Sequence, residues 1–282
     1  MCYGIENSWR VIVSGKMPAA QNMAMDSAIL SGVAQGSSPN TIRIYDWESP
    51  TVSFGYHQNP NNHIDLSRVA KNNFAFVRRP TGGRAVLHYD EVTYAVIAKN
   101  EGQFAGSILD VYKKIAYPIL HTLQEVGIDA TMSESVQNNS NTDKWRDPCF
   151  SSSSKYEINS DGKKIVGSAQ VRKNDAFLQH GSILLNNNQE KMAELLPIDS
   201  ETKRKVMKKY LAKKTIFINE LLHKQISFAH FASILKENFM KDFAIKDIVP
   251  AGLSDFETTV YQKKLQKHEK EIESLRKNIF YS

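Results

Sequence analysis

The sequence predicts an α/β fold of the α+β kind, a mixed and largely antiparallel sheet flanked by helices. Three observations carry that reading. Strand-like runs crowd the first two thirds of the chain, and turn signals such as Asp161-Gly162 and Asn174-Asp175 join several of them directly. Helical patterns are interspersed among those runs rather than alternating with them strictly. After Asn188 the composition turns to Lys, Glu and Leu at helical spacing.

The elements follow in order. Ser8 to Ser14 alternates as an opening strand, and Pro18 stands just ahead of a helix whose apolar positions are 23, 25, 29, 30 and 33. Thr41–Tyr45 and Thr51–Tyr56 read as strands, and Ile64–Lys71 as a short helix. Phe76 to Tyr94 then spells F-V-R-R-P-T-G-G-R-A-V-L-H-Y-D-E-V-T-Y. An apolar run ends at Arg78-Arg79, Pro80 stops it, and Thr81-Gly82-Gly83 turns the chain sharply. Spacing alone leaves two readings of this stretch open. One is a basic β-hairpin, since Gly-Gly is a common hairpin turn. The other is a turn whose missing Cβ atoms admit a bound group, with arginine donors beside it.

Ser107 to Val126 is the clearest amphipathic helix, with Ile108, Val111, Ile115, Ile119, Leu120 and Leu123 on one face and Gly127 just beyond its end. Asp129–Met132 returns as a strand, and Ser133–Asp147 is a polar loop rich in Asn and Ser. Tyr156–Ile158, Lys163–Val171 and Ala176–Leu185 read as three strands. Helical patches follow at 189–196, 200–212, 216–224 and 226–241. Phe256–Lys277 is a charged tail helix. The expected division is a catalytic domain over 1–248 and a helical tail over 249–282.

Composition narrows the function classes. A hydrophobic share of 41% and a charged share of 23% are ordinary for a soluble globular protein. No run is long enough to span a bilayer, and the N-terminus lacks a basic segment before an apolar core, so a cytoplasmic protein with no membrane partner is expected. The two cysteines, Cys2 and Cys149, have no metal-ligand spacing and are too few for a disulfide scaffold. A formal charge of +6 suits anionic partners. Basic residues spread along the whole sequence, without a nucleic-acid-binding signature, argue against nucleic acid. The Gly82-Gly83 turn does not open a βαβ unit and there is no GxxxxGK[ST] loop, so neither a dinucleotide fold nor a phosphate-cradling loop is expected.

Cys149 follows Pro148 in a polar segment near Lys144, Arg146 and Lys155, where positive charge favours a thiolate. Of the adjacent Lys163 and Lys164, one must face inward if their strand is half buried. His180 sits in a strand, where a structural role is as natural as a catalytic one.

Taken together, R-R-P-T-G-G-R-A-V-L-H with E-V-T-Y, then C-F-S-S-S-S-K-Y-E, K-I-V-G-S-A-Q and L-Q-H-G-S-I-L-L closely resemble the lipoate-protein ligase A/octanoyltransferase family, from about Trp9 to Leu222. The cysteine motif makes its octanoyltransferases the most similar branch. The resemblance implies a biotin/lipoate protein ligase-like catalytic domain. It implies an acyltransferase that moves octanoyl from acyl carrier protein to a lysine of a lipoyl domain, such as the glycine cleavage H protein, with no cofactor and as a monomer. Carried over onto this chain, Cys149 is the thioester nucleophile and Lys164 its activating lysine. Arg79, Gly82, Gly83 and His88 form one wall of the acyl pocket, and Gly167, Ser168, Ala169, His180 and Gly181 the facing strands. An ATP-dependent lipoate ligase, an amidotransferase acting between lipoyl domains and a non-catalytic lipoyl-domain binder remain alternatives. Two departures stand out: His88-Tyr89-Asp90-Glu91 replaces the usual His-Asp-x-Glu, and Ser152-Ser153 stands where the family often carries Ala-Pro.

Overall fold

The structure is a computed structural model that describes residues 8–133, 157–187 and 189–280. In chain order the elements are β1 (Trp9–Met17), α1 (Ala19–Gln35), β2 (Asn40–Trp47), β3 (Thr51–Phe54), α2 (Pro60–His63), α3 (Leu66–Lys71), β4 (Ala75–Arg78), β5 (Val86–His88) and β6 (Glu91–Lys99). Then come α4 (Ile108–Glu125), β7 (Ala130–Ser133), β8 (Glu157–Ser160), β9 (Lys163–Lys173), β10 (Ala176–Leu184), α5 (Glu201–Lys214), α6 (Ile218–Leu221), α7 (Phe228–Asp242), β11 (Ile248–Val249) and α8 (Asp255–Phe280). Turn chemistry fixes the joints: Asp161 and Gly162 take φ of 51° and 68°, the left-handed pair that a two-residue turn between β8 and β9 needs.

An eight-stranded sheet runs β11-β1-β2-β6-β10-β9-β8-β7, and a separate three-stranded sheet runs β4-β3-β5. Within the large sheet β1 pairs parallel with β2 and β11, while β2–β6, β6–β10, β10–β9, β9–β8 and β8–β7 are antiparallel. That is the mixed, mostly antiparallel sheet expected. The hairpin reading of the glycine stretch is overturned. β4 and β5 do not pair with each other but flank β3, one parallel and one antiparallel. The Gly82-Gly83 turn therefore carries the chain across β3.

One face of the large sheet is covered by α4 and α7. Val111, Ile115, Ile119 and Leu123 meet Phe231, Leu235 and Phe239 over Ile42, Ile44, Val92, Tyr94 and Val96. Ser107 and Asp110 form a capping box at the start of α4. Ile108, expected on the buried stripe, is instead 52% exposed; its neighbours in the first turn are exposed too, and burial begins at Val111. α1 lies on the opposite face, with Met23, Ile29, Leu30 and Val33 against Tyr45, Trp47, Ala95, Ile97 and Leu178. α8 packs across α1, and its Glu257 makes a buried pair with Arg10 at 2.6 Å. The charged tail helix is thereby joined to the first strand. A smaller core unites β3, β4 and β5 with α3, α5 and the 3-10 turn at Gln189–Glu194.

Candidate active site

Strand alternation decides where polar side chains gather. On β2 the residues facing away from α4 and α7 are Arg43, Tyr45 and Trp47; on β6 they include Glu91 and Thr93; on β10, His180 and Ser182. Register lays them side by side, with Thr93 opposite both Tyr45 and Ser182. The small sheet closes over them with Ser53 on β3 and Val86 and His88 on β5. Between the two sheets lies a narrow slot, with about 30 Å3 open to the centre of a water-sized sphere, lined by Met23, Tyr45, Trp47, Ser53, Arg79, Val86, His88, Thr93, Gly167, Ser168, Ala169, His180, Gly181 and Ser182.

Two buried carboxylates organise the walls. Asp26 of α1, fully buried, pairs with the buried Arg43 guanidinium and accepts from Tyr45 Oη at 3.0 Å and His180 Nδ1 at 3.1 Å. His180 Nε2 lies 2.7 Å from Thr81 Oγ1, so α1 and β10 together hold the glycine turn. Burial alone would push the Asp26 carboxyl up; the Arg43 charge and the His180 and Tyr45 hydrogen bonds outweigh it and hold it below the usual carboxylate range. Burial pushes the His180 imidazole down despite Asp26. The two directions describe one arrangement: an Asp26 anion neutralised by Arg43, beside a neutral imidazole. Its Nδ1–H donates to Asp26 and its Nε2 accepts the Thr81 hydroxyl proton. The same burial, with Asp26 next to it, raises the Tyr45 phenol well above its ordinary value.

Glu91 is the second. It accepts from Thr93 Oγ1 at 2.6 Å and from the Ser182 hydroxyl, and lies 2.8 Å from His88 Nδ1. His88 Nε2 is 2.7 Å from Ser53 Oγ, and the Trp47 ring stacks on the imidazole at 4.3 Å while its Nε1 donates to Thr93 at 2.8 Å. Arg79 spends its fork inside the protein. It donates to Ser53 O at 3.1 Å, Gly82 O at 2.8 Å and Arg84 O at 2.7 Å. It therefore braces the turn instead of presenting a free fork to an anion.

The turn has no room to drift. A Cβ on Gly55 would lie 2.1 Å from the Gly83 carbonyl oxygen, so the loop after β3 touches the turn backbone to backbone. Gly83 itself takes φ of 94°. Gly181 faces the other way: a Cβ there would meet the Ser168 hydroxyl and the Tyr94 ring, each at 2.6 Å, where Tyr94 Oη and Ser168 Oγ are hydrogen-bonded at 2.7 Å.

Arg79, His88, Gly167, Ser168, Ala169, His180 and Gly181 thus converge on one slot. Gly82 and Gly83 stand behind it as the turn Arg79 braces. Lys164 is the inward member of its lysine pair, 6% exposed, with Nζ 2.8 Å from the buried Glu157 carboxylate. It lies on β9 three residues before Gly167 and is not among the residues that line the slot. Its backbone carbonyl accepts from Ile216 at 3.1 Å. Cys149 lies outside the described residues, as do Cys2, Ser152 and Ser153. Tyr89, in place of the usual aspartate, packs beside Phe74 in the small core, and Asp90 is exposed. The carboxylate that matters locally is Glu91.

Asp26, Ser53, Glu91, Thr81 and Trp47 were not among the residues singled out from sequence. Asp26 did carry a signal, a lone acid inside the apolar run Met23-Ala24-Met25-Asp26-Ser27-Ala28-Ile29-Leu30. Glu91 opens a strand in phase with Thr93, but nothing local says that both face a cavity.

Residues 18–240 match the lipoyl protein ligase A/B catalytic domain. The chain is 37% identical over 254 residues to octanoyltransferase LipM of Halalkalibacterium halodurans, covering 89% of this chain and 92% of that protein. It is 37% identical over 243 residues to octanoyltransferase LipM of Bacillus subtilis, covering 83% and 86%. Among solved structures, the bi-partite lipoate protein ligase of Thermoplasma acidophilum aligns with a TM-score of 0.76 at 19% identity over 92% of both chains. Lipoate-protein ligase A bound with ATP aligns with a TM-score of 0.72 at 20% identity, over 92% of this chain and 95% of that one. At such identities the structural likeness speaks for the fold alone. The family match over most of the chain and the near-complete coverage of the relatives give one conclusion: the chain belongs to the lipoyl protein ligase A/B catalytic-domain family.

Proposed function

We propose that the chain is an octanoyltransferase of lipoate biosynthesis, moving an octanoyl group from acyl carrier protein to a lysine of a lipoyl domain through a thioester on Cys149. The observation that carries the reading is the slot between the two sheets. Its open surface is mostly hydrocarbon and aromatic, from Met23, Tyr45, Trp47, Val86 and Ala169, and its polar groups bond to one another in the walls. Such a lining suits an unbranched acyl chain, which can offer no hydrogen bond to an orphaned wall group. The likeness to octanoyltransferases over most of both chains supports the same choice of cargo.

The chemistry proceeds in two steps. The Cys149 thiolate attacks the carbonyl carbon of the octanoyl thioester, the donor's C–S bond breaks, and the carrier thiol leaves with a proton. The deprotonated amine of the acceptor lysine then attacks octanoyl-Cys149, forming the amide and releasing the Cys149 thiol. Lys164, buried and held by Glu157, supplies the positive charge that favours the thiolate and moves the proton between steps. Arg79 and His180 hold the glycine turn, so the slot keeps its width as the acyl chain enters.

Three donors separate this reading from its rivals when each is offered with a lipoyl-domain acceptor, for instance the glycine cleavage H protein. The expected substrate is octanoyl-acyl carrier protein without ATP. Activity solely with free lipoate and ATP overturns the reading in favour of a ligase, and activity solely from an octanoylated lipoyl domain in favour of an amidotransferase.

A further inference from the structure

The positive charge of this chain is concentrated on one helix. α5 (Glu201–Lys214) carries seven Lys and Arg residues against one Glu, a surplus equal to the formal +6 of the whole protein. Basic residues are spread along the rest of the sequence too, but there acids and bases cancel. Arg204 is turned inward onto the carbonyls of Ala193 at 2.7 Å and Ile198 at 2.5 Å, and Lys203 pairs with Asp199 at 3.3 Å. Lys205, Lys209 and Lys213 are exposed, with no ion pair to a described carboxylate. They recur every fourth residue, so they form a single ridge on the solvent side, with steps of about 6 Å along the axis. Val206, 63% exposed, lies beside them. Like charges at this spacing repel and weaken the helix that bears them. Lys205 also sits in the first turns, where the helix dipole disfavours a cation. At the other end the dipole favours Lys213 and Lys214, and Glu201 sits in the first turn, so the uncompensated part of the cost falls on Lys205 and Lys209.

The position of the ridge matters as much as its charge. Thr215, the residue after α5, bridges Lys164 in parallel, and Ile216 donates to the Lys164 carbonyl. The basic helix thus ends at the strand that holds the proposed catalytic lysine. We infer that the Lys205–Lys209–Lys213 ridge is the docking surface for the acidic carrier protein that brings the acyl thioester, with an acidic helix of the carrier laid alongside α5. An acidic helix repeats its carboxylates at the same rise, which makes charge and spacing complementary together, and Val206 offers an apolar contact beside the charges. The inference rests on the acyl-transfer reading above.

The test compares the full-length wild type with Lys205→Glu/Lys209→Glu/Lys213→Glu and with the milder Lys205→Gln/Lys209→Gln/Lys213→Gln, which keeps the inference falsifiable if charge reversal unfolds the helix. Octanoyl is supplied on acyl carrier protein and on a small thiol. The expected result is a KM for the carrier-borne donor raised about tenfold or more in the Glu variant and by a smaller factor in the Gln variant. kcat, the KM for the small thioester and the KM for the acceptor domain should stay unchanged. Added salt should raise the carrier KM of wild type more steeply than that of the Gln variant. An unmoved carrier KM overturns the docking site, as does a rise in the acceptor KM alone. Wild type that transfers from no carrier at all would refute the acyl-transfer reading itself.

Discussion

The two faces of β2, β6 and β10 are made by alternate residues of the same strands, yet they solve different problems. Toward α4 and α7 the strands present Ile42, Ile44, Val92, Tyr94 and Val96, and the helices fill the space with Val, Ile, Leu and Phe. On the opposite face the same strands give Ala95, Ile97 and Leu178 to α1, present Tyr45, Thr93, His180 and Ser182 to an open slot, and bury Arg43 and Glu91 in the polar network of its walls. One face gains its stability from hydrophobic burial. The other must give its buried charges specific partners, as Arg43 and Asp26 give each other, because an unpaired buried charge costs several kcal/mol. The difference teaches that the site is a property of strand phase: the chain builds its core and its cavity from neighbouring residues of the same strands.

The comparison breaks first at Asp26. Replacing Asp26 with Ala leaves Arg43 buried without its counter-charge, at a cost of about 3–5 kcal/mol. For a chain of this size that lowers Tm by roughly 6–20 °C in a thermal scan. Because His180 then loses the partner that orients it toward Thr81, KM for the octanoyl donor should rise as well. A stable variant with normal KM would make the polar face ordinary packing. On the apolar face, Phe239→Ala should cost about 3 kcal/mol, with KM unchanged in assays run well below Tm. If KM changed there too, the two faces would not be separable.

Shortening the acyl chain sharpens the picture of the slot. Each methylene withdrawn from an apolar site loses about 0.8 kcal/mol, so hexanoyl should bind the slot about tenfold more weakly than octanoyl. Inhibition by the corresponding thioether analogues measures this directly, and equal inhibition would place the chain outside the slot. Acidification makes the smallest difference. With its pKa lowered by burial, His180 stays neutral in the fold while the unfolded chain takes up a proton near pH 6.5. Stability should therefore fall as pH drops below 6.5, before Asp26 titrates at lower pH. His268 on α8, pushed down to about 4 by burial against the opposing pull of Glu271, acts in the same sense. The variant His180→Gln/His268→Gln should lose less Tm between pH 7 and pH 5 than wild type does.

Local chemistry made much of the fold legible. The Asp161-Gly162 turn, the helix 107–126 with Gly127 past its end, and one inward lysine in the pair Lys163-Lys164 follow from turn propensity, capping and alternation, while the choice of Lys164 comes from the family resemblance. Pairing between distant strands was not legible. The Gly82-Gly83 stretch reads as a hairpin locally, and only the insertion of β3 between β4 and β5 rules that out. The same blindness hid Ser53, Thr81 and Glu91, whose partners lie on other elements. It also left Arg79 looking like an anion-binding fork, although its donors go to neighbouring carbonyls. The basic ridge was hidden for a different reason: whole-chain charge averages over helices, and counting α5 alone reveals it.

The central claim is an acyl group held on one sulfur. The most direct test is the intact mass of wild type and of Cys149→Ala after mixing with octanoyl-acyl carrier protein without acceptor, followed by peptide mapping. Wild type should gain one octanoyl group mapped to Cys149, and it should lose that group when a lipoyl domain is added, while Cys149→Ala gains none. An octanoyl adduct that persists in Cys149→Ala, or one that the acceptor cannot discharge, would contradict the account.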